Sequence, residues 1–406
     1  MKVAIIGSGI VGLTIAYTLS KENIDITIFE KERDSLSHGT GRNSGVIHSG
    51  IYYQPKTLRS TLCIRGSKLM KKFISENNLY INNCGKLLLP KTKKDIETLN
   101  LLYERSKEVG VETIKLNSFD EILKIEPNCN PLFNEALFIK ETAIADPKEV
   151  SNKLIEILKK RGVIIKYDTK VDSISSDNTI IISNNKIHNF DLIINSAGLH
   201  ADYLANKSNL KTRYTSLPFK GKYWKISFGD KNEIPNRLIY PVPNLDQPFL
   251  GVHTVYDKDG NFYLGPSSTP VFGREAYRPF RKFNFLEFCA LSYKFILKII
   301  FNENNLRNLA ISEFKNLFLS SVMKSSNVYF KHKPVKIELS SKVGIRSQMF
   351  DKNSKKLFND FVVIKQNNII HILNAISPAW TSSFAMAEFI CEKYTIKKNR
   401  NNNESA

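Results

Sequence analysis

The sequence predicts an α/β fold in which a parallel-sheet, nucleotide-binding domain is interrupted by a second lobe. Three observations predict it. The chain opens on the apolar run "VAIIG", which passes through a glycine-rich turn into an apolar-periodic stretch, "IVGLTIAYTLS". A second apolar run, "IDITIFE", follows. Near the other end, "FVVIKQNNIIHILNA" and a helical stretch from about Ala379 repeat that character, as though the chain returned to its first domain. Strand, turn, helix and strand in that order make the start of a parallel sheet with a crossover helix.

The first turn reads Gly7-Ser8-Gly9-Ile10-Val11-Gly12, a G-x-G-x-x-G pattern. Gly7 permits the tight turn, Gly9 lets backbone approach a pyrophosphate, and Gly12 lets helix pack on strand. The phosphates then meet the free N–H groups at the helix N-terminus. Alone the pattern is weak. Here a strand precedes it, a helix follows, and the second strand ends in Glu30, eighteen residues past Gly12, where a carboxylate can hold a ribose diol.

The stretch after Glu30 separates two dinucleotides. "EKERDSLSHGTGRNSG" lacks the strand-helix repeat that a second mononucleotide half would need. It is a long, polar, glycine-rich loop, suited to lie along a ribityl chain and a flat ring. The cofactor expected is therefore FAD rather than NAD. Its contacts are expected at Gly7, Ser8, Gly9, Ile10, Val11, Gly12, Glu30, Lys31, Arg42, Asn43, Ser44 and Gly45.

Further along, "ADPKEVSNKLIEILKKRG" reads as a helix with Asp146 as N-cap, Pro147 in the first turn and Gly162 past its end. The strand "VIIKYD" follows. "KVDSISSDNTIIISNNKIHNFDLIINSAG" then reads as three short strands. From about 216 to 340, strand-like runs such as "YWKISF" and "FYLGPSS" mix with aromatic-rich helical stretches. The expected division is a discontinuous FAD domain (1–80, 145–215 and 340–396), a substrate domain (81–144 and 216–339) and a disordered polar tail (397–406).

Composition removes several classes. The chain has 406 residues, 42% of them hydrophobic, enough for a large core and two domains. It holds no apolar run of membrane-spanning length. A signal peptide is not expected, because its cleavage would destroy the first motif. Five scattered cysteines without a C-x-x-C pair argue against a disulfide framework or zinc site and suit the cytoplasm. The seven histidines show no ligand spacing, so no metal is expected. The net charge of +20 is spread over the whole chain without a nucleic-acid motif, so the expected partners are an anionic substrate or an anionic membrane surface, not nucleic acid.

The stretches "GRNSGVIHSGIYYQPKTLRSTLCIRG", "NNCGKLLLP", "LIYPVPNLDQPFLGVH", "GPSSTPVFGREAY", "VGIRSQ" and "HILNAISPAWTSS" carry a resemblance. In this order, over nearly the full length, the chain resembles the D-amino-acid-oxidase-like FAD oxidoreductases. Within them it is most similar to the L-2-hydroxyglutarate oxidases or dehydrogenases. The resemblance implies an FAD-binding Rossmann-like domain of the glutathione-reductase/D-amino-acid-oxidase type with an inserted antiparallel-sheet substrate domain. It implies oxidation of L-2-hydroxyglutarate to 2-oxoglutarate, hydride transfer to flavin N5, and delivery of electrons to oxygen or a quinone at the inner-membrane surface. Glycerol 3-phosphate or an amino acid is the alternative substrate. A flavin-binding membrane partner without turnover is the alternative of another class.

Site residues follow from the same stretches. Ala197 and Gly198 would end a strand near the pyrophosphate, and Val171 would reach the adenine with its backbone. His48, in the glycine-rich loop, is the expected base, with His253 of "FLGVHTV" as its rival. Arg346, after Gly344 in "GIRSQ", would hold the substrate carboxylate as a two-pronged partner. Tyr53 joins it as a substrate contact. Lys220, Tyr240, His253 and Arg274 are open candidates for a second anchor. Pro378 and Ala379 would start a helix at the pyrimidine edge of the flavin, its dipole favouring negative charge there. Ile376 and Trp380 depart from the usual proline and small residue, which bears on substrate identity. Finally, "YRPFRKFNFLEFCALSYKFILKIIF" reads either as a membrane-surface helix with Lys294 and Lys298 on one face or as an ordinary packing helix.

Overall fold

The computed structural model describes residues 1–175, 179–182, 185–245, 249–278, 284–302, 306–315, 319–326 and 329–395. The tail expected to be disordered lies outside them.

The first sheet has six strands in the order Val363–Gln366, Ile369–Ile372, Leu192–Asn195, Lys2–Ile6, Asp25–Phe29 and Ile164–Lys166. All neighbours are parallel except the edge strand Val363–Gln366. Lys2–Ile6 is central and nearly all apolar because both its faces are covered. Val3 and Ile5 join the core formed with the helices Ile10–Leu19, Pro147–Lys160 and Ala379–Ile390. Ala4 and Ile6 point the other way. They meet a small antiparallel sheet of Val171–Ile174, Thr179–Ile182 and Ile187–Asn189. The segment read as three strands therefore holds four, because Leu192–Asn195 leaves the small sheet and rejoins the large one. Asp146 caps its helix as expected, its carboxylate accepting from the Lys148 amide at 2.8 Å.

The second lobe is built on two long antiparallel strands, Tyr214–Ser227 and Lys336–Asp351, with His253–Tyr256 and Phe262–Gly265 alongside. Both expected domain switch points, at 216 and 340, fall inside these long strands. A four-stranded sheet completes the lobe. In it Leu238–Pro241 runs parallel to Lys86–Leu89, an exception to the antiparallel rule of the insert. This is the mixed fold of a Rossmann-like domain carrying an inserted, mainly antiparallel domain.

Candidate active site

A cavity of about 680 Å³ runs between the two lobes. One end lies against Gly7, Gly9, Ile10, Val11, Glu30, Lys31, Val171, Ala197 and Gly198. The middle follows Arg42, Asn43 and Ser44. The other end is closed by His48, His253, Gly344, Arg346, Pro378 and Ala379. Residues from four separate parts of the chain, 6–59, 169–204, 219–275 and 344–380, thus meet in one space.

The first turn is shaped as its glycines suggest. A Cβ on Gly12 would lie 2.1 Å from the Gly7 carbonyl oxygen, so the helix can sit this close to the loop only without a side chain. Gly9 caps the helix without a side-chain partner, and the first turn holds no acidic residue. That leaves an electropositive helix end facing the cavity. Glu30 is buried. It accepts from the Ser8 amide and hydroxyl, both at 2.9 Å, and from the Glu32 amide at 3.0 Å. At the far end the Ala379–Ile390 helix begins at the cavity, and the buried Trp380 Nε1 and His48 Nδ1 make no hydrogen bond. Polar atoms without partners at one end, and a glycine-capped helix N-terminus without acidic residues beside a buried carboxylate at the other, fit a long cofactor with a phosphate-rich half and a ring half.

His48 is held through its backbone. Its amide donates to Thr381 Oγ1 at 3.0 Å, and Thr381 Oγ1 donates onward to the Val46 carbonyl at 3.3 Å. The loop is thereby tied to the Ala379–Ile390 helix. Burial, then the charges of Lys86, His253 and Arg59, keep His48 well below the ordinary histidine range. It is a neutral proton acceptor at pH 7. His253 is pushed down to about 3, chiefly by burial, against the opposing effect of the Gly251 carbonyl. That carbonyl accepts from Nδ1 at 2.8 Å, so Nδ1 carries the hydrogen and Nε2 keeps a lone pair.

Arg346 stands on the Lys336–Asp351 strand opposite Phe219. Its guanidinium lies 4.4 Å from the centre of the Phe249 ring and donates to Gln348 Oε1 at 2.8 Å. Burial, then the nearby Arg59 charge, lower it to about 9, so it remains cationic at neutral pH.

Seven expected site residues do not line the cavity. The Ser8 side chain is turned onto Glu30. Gly12 supports the helix. Gly45, at φ +75, packs under the Ala145 carbonyl, 2.2 Å from where its Cβ would be. Lys220 is on the wrong face: Phe219, Gly221 and Tyr223 point into the cavity, and period-two alternation turns Lys220 away. Tyr240 lies behind His253, their rings stacked 3.9 Å apart. Tyr53 lies under Arg59, whose guanidinium is 4.2 Å from its ring centre. Arg274 is also removed as an anchor, since Asp202 at 2.9 Å and Glu287 at 2.7 Å neutralise it.

Other buried groups at the site carry no motif in the sequence. Arg59 lines the cavity and is buried. Its signal was its place in "TLRSTLCIRG", part of a stretch that carried the family resemblance without marking Arg59. Lys86 is fully buried beside both histidines, its ammonium 4.1 Å from the Tyr52 ring centre and without a hydrogen bond. Burial lowers it to about 7. His38 and His200 line the same cavity, with Glu32 and Glu275. Glu32, His38 and Glu275 are close enough to share a cation, but the Lys31 ammonium sits among them.

The family profile described as "FAD dependent oxidoreductase" matches residues 2–393. The chain belongs to this family. As an FAD-dependent oxidoreductase it is similar to the L-2-hydroxyglutarate dehydrogenase of Escherichia coli, 33% identical over 400 residues that cover 96% of this chain and 92% of the relative. The mitochondrial L-2-hydroxyglutarate dehydrogenase of Bos taurus is 32% identical, with 96% and 88% covered. Among solved structures, the FAD-bound L-alpha-glycerophosphate oxidase of Mycoplasma pneumoniae aligns with a TM-score of 0.71 at 24% identity, over 95% of this chain and 92% of that one. The glycine oxidase of Geobacillus kaustophilus aligns at 0.69 and 14% identity, with 96% and 93% covered. These likenesses establish the fold. The oxidoreductase binds FAD and acts on a small molecule.

Proposed function

We propose that this oxidoreductase converts L-2-hydroxyglutarate to 2-oxoglutarate. The observation that carries the reading is the far end of the cavity, where neutral His48 and His253 face the buried, cationic Arg346. An anionic alcohol needs that set: a cation for its carboxylate and an uncharged base for its hydroxyl. The names of the relatives at 32–33% identity supply the particular acid.

Bound FAD would accept the two electrons and the C2 hydrogen. It would be held by Gly7, Gly9, Ile10, Val11, Glu30, Lys31, Val171, Ala197 and Gly198 at its nucleotide half. Arg42, Asn43, Ser44, Gly344, Pro378 and Ala379 would hold its ring half. Arg346 pins the C1 carboxylate by two parallel N–H donors, which fixes the face that C2 presents. His48 takes the hydroxyl proton as the C2–O bond becomes a carbonyl; His253 is the alternative acceptor. Phe219, Tyr223 and Phe249 wall the site from water. We assign the FAD role to 1–80, 145–215 and 340–396, and the substrate role to 81–144 and 216–339.

We further propose that electrons leave to a membrane quinone, with oxygen as the alternative. The helix Phe285–Ile300 supports this reading, because it leaves Phe285, Leu286, Tyr293, Ile296 and Ile300 exposed, and Phe301 follows directly. Isolated apolar side chains are ordinary on a surface, but a contiguous set asks for a covering partner. Lys298 does not share that open face, since its ammonium lies 3.5 Å from the Phe350 ring centre; the Lys294 side chain lies outside the description. No helix among the described residues is long and apolar enough to cross a membrane.

Anaerobic titration of the purified protein with L-2-hydroxyglutarate tests the main reading. Stoichiometric bleaching of the flavin absorbance is expected. Bleaching by glycerol 3-phosphate or an amino acid, and none by the hydroxy diacid, would reassign the substrate.

A further inference from the structure

We propose that Arg59 is the second carboxylate anchor, so that the substrate is gripped by a guanidinium at each end. This rests on the reading of the substrate as a hydroxy dicarboxylate.

Arg59 is in the first turn of the helix Leu58–Glu76, only 8% exposed, and lines the cavity. It is fixed in place rather than neutralised. Its NH1 donates to the Asn359 carbonyl at 2.8 Å, its NH2 to the Ser377 carbonyl, and the plane of the Tyr53 ring supports it at 4.2 Å. Carbonyls orient a guanidinium but leave its charge uncompensated. The Nε hydrogen has no acceptor, and no carboxylate pairs with the group among the described residues. Asp360 is close along the chain fold, yet its oxygens accept from the backbone amides of Leu58, Arg59 and Phe361.

The charge of Arg59 bears on both His48 and Arg346. Two buried guanidiniums therefore face one space beside the expected base, and the Arg59 charge disfavours that of Arg346. The Glu313 carboxylate already acts on Arg346, whereas no carboxylate among the described residues pairs with Arg59, so a dicarboxylate held at Arg346 by one end supplies Arg59 with its partner at the other. The other candidates fall away: Lys220 points away, Tyr240 is covered by His253, Arg274 is already paired, and His253, though it lines the cavity, is neutral and offers a carboxylate no charge. Arg59 is thus a specificity-determining residue that selects the acid with a charged tail. With Arg346 on C1, it takes the distal carboxylate.

Glutarate and valerate share a five-carbon chain and differ by the distal carboxylate. Their binding, read as perturbation of the flavin absorbance, gives an affinity ratio that does not depend on turnover. Wild type should prefer glutarate strongly. Arg59→Met should cut that preference about a hundredfold, the scale of removing one desolvated charge partner. Arg59→Lys, which keeps a cation but not the fork, should cut it about tenfold. Arg346→Lys should weaken both acids together and leave the ratio standing. If Arg59→Met does not retain flavin, Arg59→Lys carries the decision. A wild-type preference that survives in the Arg59 variants would overturn this assignment alone. Equal binding of the two acids by wild type would overturn the dicarboxylate reading and this inference with it.

Discussion

Replacing Lys86 with methionine should make the protein more stable and a poorer enzyme. The ammonium is fully buried, makes no hydrogen bond, and touches only aromatic faces, Tyr52 at 4.1 Å and Tyr240 at 5.1 Å from ring centre. Burial lowers it from 10.5 to about 7. Each unit corresponds to about 1.4 kcal/mol, so keeping the charged form inside costs roughly 5 kcal/mol. Contact with the ring faces returns about 2 kcal/mol when desolvated. Methionine has a similar length and no charge to bury. The expected gain is therefore roughly 2–3 kcal/mol, or a few degrees in Tm for a chain of this size.

The sign with pH follows from the direction of the shift. The folded protein holds its proton on Lys86 less tightly than the unfolded chain does. The penalty is complete below about pH 7 and fades as pH rises toward 10.5, where the unfolded lysine also loses its proton. The advantage of Lys86→Met should be largest at pH 6 and vanish near pH 10.5. Thermal melts of the flavin-bound protein across that range measure it. Catalysis should move the other way. The Lys86 charge is among the causes that hold His48 neutral, so without it the acid limb of flavin reduction should shift to higher pH. A variant less stable than wild type at pH 6, or a difference that does not change with pH, would refute the account of a lone buried charge.

Three further outcomes are expected. His48→Asn should stay yellow and bind substrate, but anaerobic flavin reduction should slow about a hundredfold; if His253→Asn does so instead, the base is His253. Because His48 lies below the ordinary histidine range, the acid limb of the wild-type rate should fall below pH 6.5. Gly12→Ala forces a Cβ to within 2.1 Å of the Gly7 oxygen, so flavin affinity should drop at least about tenfold, read by fluorescence of released flavin; an unchanged affinity would show that the turn is not the phosphate site. Leu286→Asp, at a position 79% exposed, should lower co-sedimentation with anionic vesicles without changing the yellow colour, and equal sedimentation would remove this helix from any membrane contact.

The local grammar of the chain was legible because each signal acts over a few residues. Gly7 to Gly12, Glu30, the Asp146 cap and the helix at Ala379 are set by turn sterics, spacing and capping, and all four are where those rules put them. The contents of the cavity were legible only where a motif marked the residue, as for His48 and Arg346. Which way a side chain faces was not. Lys220 and Arg346 occupy neighbouring strands, and only the pairing Phe219↔Arg346 decides that one is across from the cavity wall and the other turned away. Arg59 is hidden for the opposite reason. In sequence it is one basic residue in a helix with several, and its special state comes from Asn359 and Ser377, some three hundred residues away. Lys86 sits in "CGKLLLP", where a strand lysine reads as solvent-facing; its burial exists only because Tyr52, Tyr240 and the neighbouring strands close over it. These two buried cations share a cause. Arg59 lines the cavity, Lys86 lies behind it where its charge acts on His48 and His253, and both are retained against the cost of leaving water. The far end of the cavity therefore holds its positive charge before any ligand arrives, so the work of desolvating those groups falls on folding rather than on binding.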